Sequence, residues 1–593
     1  MHAETHRVRL LFLSVLLSLL ALMLLARPAH SAWSADPVQV QATSALCPLV
    51  GACDDGHAGA IVVWQENTAT GGLLKARHLL ASGDLDPAWS AAAVVSTIDV
   101  TRSALGVLTD GAGGSYVWWM ESTQLWLTHV THAGGVATGW LARGRNLGQL
   151  PTSAHRPLAV TDGSGGVYVG WLTTPIIGFP PAATIRVVHL GPAGAGAGGW
   201  PGGGRTFGFG DVANPTVVSF GLDAAPGGGL WLSWQIAEQF GFGSLLPGDL
   251  RVLRTTAAGL PASGWTASGV VLAGYDPTFI NSSPGWTSFP RTSQIALAND
   301  GSDGAFVVWS QGETNAGELV FHNFLRHVDG SGALFSGWNP AGVDLGDLFA
   351  NGLTDTGAQA SLRAFADGHG GVFAGLPWFA SEFTAVMRFT RFDAVGAVLP
   401  GGIGADQSGL EYAPRGDGGM YIAAFKPSGA AGPYEADAYI LVAQSGGGAS
   451  FFESKTSYSA IRYGDVGLAS TGDGGAIFAW FQLIDRQGVF ALRLNPAGVV
   501  TGVPPTAING PPTLRMRFVP GIGVRALISS VPAGREELSL HDVTGRVVAR
   551  TSIADAVGGD WVFPGTERLA NGIYFARGVS GGVKLHARVT VVR

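Results

Sequence analysis

The side chains able to do chemistry in this sequence recur at fixed intervals. His78, His129, His189, Arg254, His327, Arg391 and Arg493 each stand five positions before a Gly. In the first five of these copies a Trp follows that Gly by six positions, at Trp89, Trp140, Trp200, Trp265 and Trp338. Cations at one equivalent position would line an anion or acidic-glycan surface. The stronger expectation is structural. A residue present in nearly every copy serves the copy, here through a hydrogen bond to a turn Asp or a backbone carbonyl. A second series marks Gly-rich turns at Asp55, Asp110, Asp162, Asp223, Asp300, Asp367, Asp417 and Asp473. Calcium requires several oxygen ligands, and each of these turns offers one carboxylate, so tight hairpins are expected instead. Glu66 and Glu121 sit two positions past a repeat Trp, where Gln311 and Gln482 stand in other copies. A strand end at the solvent is therefore favoured over an acid/base pair. Nucleophile-elbow, zinc-protease and phosphate-loop motifs are missing from the sequence. No catalytic residue, metal site or cofactor is assigned.

The elements that must position these residues follow from the same repeats. Asp110-Gly-Ala-Gly-Gly leads into Ser115-Tyr-Val-Trp-Trp119, and Asp162-Gly-Ser-Gly-Gly into Val167-Tyr-Val-Gly-Trp171. Measured from the last Gly of the turn, Trp64, Trp119, Trp171, Trp234, Trp309 and Trp480 fall at one spacing. Successive turn Asp residues are 50 to 77 positions apart. Each unit reads as four strands; in the third copy these are Pro157–Thr161, Val167–Trp171, Thr184–Leu190 and a short one ending at Trp200. A lone four-stranded sheet leaves two faces uncovered, and stacking sheets about an axis covers them. The fold class is thus all-β: a β-propeller of eight blades, with seven as the alternative, followed by a small C-terminal β-sandwich. The recurrent Trp residues are expected to fill the space between blades.

In a meander of four strands the first and third turns share one face of the ring. The Gly-rich turns occupy that face, so the irregular loops share the other. The longest are Pro175–Ala183, Ile236–Asp249, Ala273–Arg291, Val343–Gln359 and Lys426–Ala438. They carry Phe240, Phe242, Tyr275, Phe279, Trp286 and Phe289, the candidate binding residues for a sugar or protein.

Composition sets the outer bounds. The 593 residues include 90 Gly and 18 Trp, with 13% charged, which excludes disorder and collagen. Arg7 and Arg9 precede an apolar run from Leu10 to Leu25 and small residues at Ala29 and Ser31, the pattern of a signal peptide over 1–31. Its removal takes the formal charge from −7 to −9. Such a chain has no electrostatic drive toward nucleic acid. Cys47 and Cys53, six positions apart, are candidates for a small-loop disulfide in an oxidising compartment. The propeller domain is assigned to 32–502, a Pro-rich linker to 503–513 and a further β domain to 514–593.

In that last domain, Leu538-Ser-Leu-His-Asp-Val-Thr-Gly-Arg-Val-Val548 and Asn571-Gly-Ile-Tyr-Phe575 are followed by Lys584 and a terminal strand. This pattern resembles the C-terminal sorting domain of type IX secretion, an immunoglobulin-like fold. Asp542, Gly545, Arg546, Gly572, Tyr574 and Lys584 match it, whereas His541 stands where an aromatic Tyr is common. The resemblance implies export through the type IX machinery of a Gram-negative-type bacterium, release or outer-membrane surface attachment, and cleavage of the sorting domain. The functional expectation is a secreted or cell-surface propeller that binds a glycan or protein. The alternative is an exported polysaccharide- or glycoside-active enzyme on the same scaffold.

Overall fold

The computed structural model describes residues 37–591 apart from interior stretches, chiefly 99–103, 151–155, 174–182, 209–214, 241–243, 275–294, 350–361, 428–434, 444–448, 460–465, 495–513, 529–535 and 554–558, and shorter gaps. Among the described residues the chain is all-β, with one 3-10 turn at Thr566–Arg568. Eight sheets of four antiparallel strands occupy Val38 to Leu494. The second repeat shows the plan. Its strands Leu105–Thr109, Ser115–Glu121, Gln124–Val130 and Arg145–Gln149 form a plain meander. The fourth strand lies beyond the repeat Trp, not up to it: in the third repeat it is Arg205–Phe207, and Trp200 sits in the preceding turn. That turn is held by the Ala197 N–H on the His189 carbonyl and the Trp200 N–H on the Ala197 carbonyl, so the Trp belongs to a folded corner.

Strands of successive sheets lie beside one another, in most cases first strand beside first strand, and Gly467–Ser470 of the last sheet returns to Val50–Asp54 of the first. The buried clusters follow the same circuit. One joins the eighth and first repeats through Trp64, Val489 and Ala491, the next joins the first and second through Ile61 and Trp119, and the seventh and eighth meet through Tyr421 and Trp480. Repeated four-stranded sheets packed face to face in this way fit a β-propeller. The eighth sheet is completed from the far end of the chain. Val38–Ala42 pairs antiparallel with Gly488–Leu494, Val38 opposite Ala491. This covers a strand edge that would otherwise stand open.

Two glycine requirements explain the spacing of the sequence signals. The last Gly of each Asp turn faces the turn carboxylate and the carbonyl of the third strand. A Cβ at Gly114 would lie 2.4 Å from Asp110 Oδ2 and 2.5 Å from the Val130 oxygen. The Gly of the second element lies against the Trp of the preceding repeat. Gly134 meets Trp89, Gly194 meets Trp140, Gly259 meets Trp200, Gly332 meets Trp265 and Gly396 meets Trp338. Each of these five indoles also donates from Nε1 to a carbonyl of the same neighbouring turn: His132, Pro192, Ala257, Gly330 and Ala394, at 2.7–2.9 Å. The Trp of one repeat and the Gly of the next are therefore one contact. The sixth repeat, which lacks the Trp, precedes the seventh, in which the sequence shows no matching basic residue and Gly.

Residues 514–591 form a unit with a three-stranded and a four-stranded sheet sharing one core, including Leu514, Val524, Leu538, Leu540, Phe563, Tyr574 and Val591.

Several sequence expectations change. Ile236–Asp249 is mostly strand, because Gly229–Phe240 and Ser244–Arg254 extend as a long hairpin. Val343–Phe349 is also strand, and Lys426 and Pro427 end a strand that pairs with Glu435–Ala443. Asp223 is not a turn residue. It lies in the first strand of its repeat and accepts from Asn299 N–H at 2.8 Å and Asn299 Nδ2 at 2.9 Å. In the eighth repeat the turn begins at Thr471, whose N–H donates to the Gly475 carbonyl, and Asp473 follows two positions later. In the seventh it begins at Arg415, and Asp417 is outside the described residues. The expected Cys47–Cys53 disulfide is not formed. Both are buried free thiols on opposite sides of the first sheet, Cys47 in the cluster shared with the eighth repeat and Cys53 in the cluster shared with the second. Burial pushes both thiols well above their ordinary range.

Two outcomes follow. A Gly332→Ala chain, with φ of +82° and the Trp265 ring 2.6 Å from the new methyl, is expected to lose about 2–4 kcal/mol in urea unfolding. Gly301→Ala, at φ +79° with open space, pays only the backbone strain of about 1–2 kcal/mol; equal losses would refute the Trp–Gly contact. A thiol reagent at neutral pH should find neither Cys47 nor Cys53 in the folded chain and both after denaturation, with or without prior reduction.

Candidate binding surfaces

The turn face is built from clasps. His129 Nε2 lies 2.8 Å from Asp110 Oδ2, while Asp110 Oδ1 accepts from the N–H groups of Ala112 and Gly114 at 2.7 and 2.8 Å. His189 with Asp162 at 2.8 Å and His327 with Asp300 at 2.9 Å repeat this geometry. Arg391 replaces the imidazole with a guanidinium, 2.7 Å from Asp367 Oδ2, and Arg493 contacts Asp473. Arg254 departs from the pattern and contacts Asp303 of the next repeat. In two of the clasps the second ring nitrogen reaches across the seam: His129 Nδ1 is 2.9 Å from the Pro192 carbonyl and His327 Nδ1 is 3.2 Å from that of Ala394. Arg493 Nη1 closes the circuit, donating to the Ala81 carbonyl of the first repeat at 2.8 Å. An aromatic ring from the second strand stacks on three of the imidazoles: Tyr116 on His129 at 4.4 Å, Tyr168 on His189 at 3.9 Å and Phe306 on His327 at 4.0 Å.

Sequence reasoning placed the seven basic residues in one series and preferred a fastening role; six of them contact the Asp of their own turn. The clasp carboxylates are accordingly shifted. Burial pushes Asp110 up, but His129 and the two turn N–H groups outweigh it and hold the carboxyl below the usual aspartate range. Asp55, Asp162 and Asp300 are lowered in the same way. His78 is the extreme case: Nε2 is 2.9 Å from Asp55 and Nδ1 is 2.7 Å from Asp86, an arrangement that only an imidazolium satisfies at both ends. Burial lowers His78, and the two carboxylates override it and raise it. These groups are spent within the fold and leave no free ring of cations for an anion.

The carboxylates weighed for acid/base work are also engaged. Glu66 pairs with Lys75 at 2.8 Å, and Glu121 takes Arg143 at 2.9 Å and the Trp119 indole N–H at 2.9 Å. Arg143 lies over Trp126, 4.9 Å from the ring, a cation–π contact that the repeat spacing did not reveal. Among the described residues no group of three His, Cys, Asp or Glu side chains is arranged to hold a metal.

The opposite face differs between repeats. Strands in the fourth and fifth repeats reach 11 or 12 residues, where the second repeat uses five to seven. Phe240 ends one such strand, opposite Ser244. Its side chain and the whole of Phe242, Tyr275, Phe279, Trp286 and Phe289 lie outside the described residues. No family model and no curated relative matches the sequence. Solved structures similar to the chain include the polysaccharide lyase Uly1, at 9% identity and TM-score 0.38 over 70% of this chain and 92% of the lyase. Drosophila Semaphorin 2a aligns at 9% identity and TM-score 0.29, over 94% of this chain and 99% of its own. The β-propeller domain of the Trilobed protease from Pyrococcus furiosus aligns at 11% identity and TM-score 0.24, over 61% and 86%. At these scores the fold assignment stands on the sheets themselves.

In the C-terminal unit, Asp542 accepts from Thr544 N–H at 3.0 Å and Arg546 N–H at 3.1 Å, and Arg546 Nε returns to its second oxygen at 3.1 Å. Gly545 occupies φ +84°, the left-handed position that this turn requires. Tyr574 is buried and donates to the Ala570 carbonyl at 3.0 Å. Gly572 opens the strand Gly572–Ser580; Lys584 lies opposite Val579, and its side chain is outside the described residues.

The clasps make acid stability testable. The folded carboxylates bind protons less readily than unfolded ones, so their stabilisation is full above the ordinary aspartate value of 3.8 and drains as pH falls below it. The melting temperature should drop steeply there. Asp110→Ala should cost about 3–5 kcal/mol at pH 7, because it leaves His129 buried without its partner. The gap between this variant and the parent should narrow as pH falls; a gap independent of pH would sink the clasp assignment.

Proposed function

We propose that this chain is an exported eight-bladed β-propeller that binds a glycan or protein through the face opposite its Asp turns. Eight four-stranded sheets, the last completed by Val38–Ala42, support the blade number. One observation carries the binding reading: the two faces are built by different rules. On the turn face, hydrogen-bonded clasps repeat from blade to blade. On the other, the hairpins of the fourth and fifth repeats, Gly229–Phe240 with Ser244–Arg254 and Ala305–Asn315 with Glu318–Val328, outgrow that of the second. A rigid scaffold with one uniform face and one irregular face places recognition on the irregular one.

Residues 514–593 are read as a small β-sandwich that directs export. The Asp542–Arg546 turn and the buried Tyr574 support the resemblance to type IX sorting domains, and the apolar run after Arg9 supports entry by a signal peptide. The type IX machinery is then the export partner, and the destination is the medium or the outer cell surface. In the native host, a chain truncated after residue 513 should accumulate in the periplasm while the full chain reaches the surface. Equal surface display of both would refute the sorting role.

The binding reading is tested by replacing residues 238–246 with the two-residue connection Ser122-Thr123 of the second repeat. On a glycan array and in a cell-surface protein pull-down, the parent should retain a ligand that the variant loses by about tenfold or more at unchanged melting temperature. Release of reducing ends or unsaturated sugars from a polysaccharide panel by the parent would instead favour the enzyme.

A further inference from the structure

We propose that the outward face of the C-terminal four-stranded sheet binds an anionic polysaccharide. Its strands Glu536–His541, Val547–Ile553, Gly572–Ser580 and Val583–Val591 put alternate residues on two faces. Leu538, Leu540, Tyr574, Ala576 and Val589 are buried on the inner face. On the outer face the register aligns two rows across the sheet: Arg550, Ser539, Arg577 and His586, then Val547, His541, Phe575 and Arg588. Arg550, Arg577, His586 and Arg588 are exposed. Among the described residues no acid pairs with Arg577 or Arg588, and Glu537 is the one acid at a strand position of the same parity.

Like charges on neighbouring strands cost about 0.2–1 kcal/mol each, so folding alone does not favour this cluster. Arg577 and Arg588 are diagonal neighbours roughly 7–8 Å apart, and Arg550 lies two strands from Arg577, roughly 10 Å away, so one extended polyanion can touch all three. Between them Phe575 and Val547, 38% and 39% exposed, form a low apolar plateau suited to the flat face of a sugar ring. Two half-buried apolar residues on a flat sheet do not supply the area that a membrane surface needs. The charge is local to this unit. Residues 514–593 hold 11 Lys and Arg against 6 Asp and Glu, net +5, while 32–513 hold 21 against 35, net −14. Attraction of a polyanion to this acidic chain must therefore act through the C-terminal face, at short range and screened by salt.

The test uses the purified full-length chain, with residues 514–593 intact, on dextran sulfate resin with unmodified dextran as control. The chain should be retained at low salt on the sulfated resin alone. Arg588→Glu should weaken that affinity about tenfold or more and Phe575→Ser several-fold, with melting unchanged. Arg588→Lys should keep most of it. Arg568→Glu makes the same change in charge away from this face, at an exposed position in the 3-10 turn, and should change little. Failure of the parent to bind, or equal weakening by Arg568→Glu and Arg588→Glu, overturns the proposal. Salt-sensitive self-association abolished by Arg588→Glu, without resin binding, would assign the face to the acidic body of a second copy and also overturn it. The result is independent of the ligand of the propeller face.

Discussion

A four-stranded sheet with apolar side chains on both faces is unstable in water until each face is covered by another sheet. The rest of this structure depends on that constraint. Trp64, Trp119, Trp234 and Trp480 are wholly buried at the middle of their sheets, and each supplies about 4–6 kcal/mol of transfer free energy as an upper bound. That energy is available only when the next repeat is in place. Hydrophobic burial is non-directional, however, and would permit the sheets to slide. The Trp–Gly contact and the indole-to-carbonyl bonds fix the register between neighbours. The clasps then hold the turn that presents the Gly.

Neighbour-only packing leaves a weak point where the chain ends meet. In an open array the terminal repeats each expose a face. Here the circuit returns, and the last sheet takes its outer strand from Val38–Ala42. Arg493 adds a polar contact across the same seam by reaching Ala81. The eighth repeat has no Trp after its Gly, so this seam is made without the Trp–Gly contact. Strand exchange and a guanidinium take its place.

Much of this was legible in the sequence because steric rules produce spacing. A turn that needs Gly against Asp110, and a Trp that needs Gly beneath it, leave marks that survive when other residues vary. The strands on either side of the Asp162 turn, Leu158–Thr161 and Val167–Leu172, could be read directly. The fourth strand could not, since Arg205–Phe207 is too short for an alternating pattern and Trp200 looked like its end. The long hairpin through Phe240 read as a loop because Gly241, Gly243 and Pro247 are turn-formers in most contexts. Pairing with the preceding strand overrode that local preference. Cys47 and Cys53 are close in sequence, but Cys47 lies in the link before Val50–Asp54 and Cys53 within that strand, and which side of the sheet each reaches depends on the path of the link and on the pleat. The aligned cations on the C-terminal sheet were invisible for the same reason: Arg550, Arg577 and Arg588 are scattered in sequence and meet only through strand pairing.

The distribution of polar chemistry separates structural from recognition roles. Most clasp residues are buried, Asp473 being the exposed exception, and each is paired within its own repeat or with the next, so substitution there is felt first as lost stability. Such positions are poor places for evolving specificity, since each change disturbs two repeats at once. Among the described residues of the opposite face no contact of this kind repeats from one repeat to the next. Its connections join strands of one sheet, or one sheet to the next, and the hairpins of the fourth and fifth repeats are the lengthened ones. The C-terminal unit follows the same logic on a smaller scale. Its Asp542 turn is internally bonded, while Arg577 and Arg588 stand exposed with no acid partner among the described residues. In both units the side chains that the fold does not consume lie on surfaces that the fold does not cover.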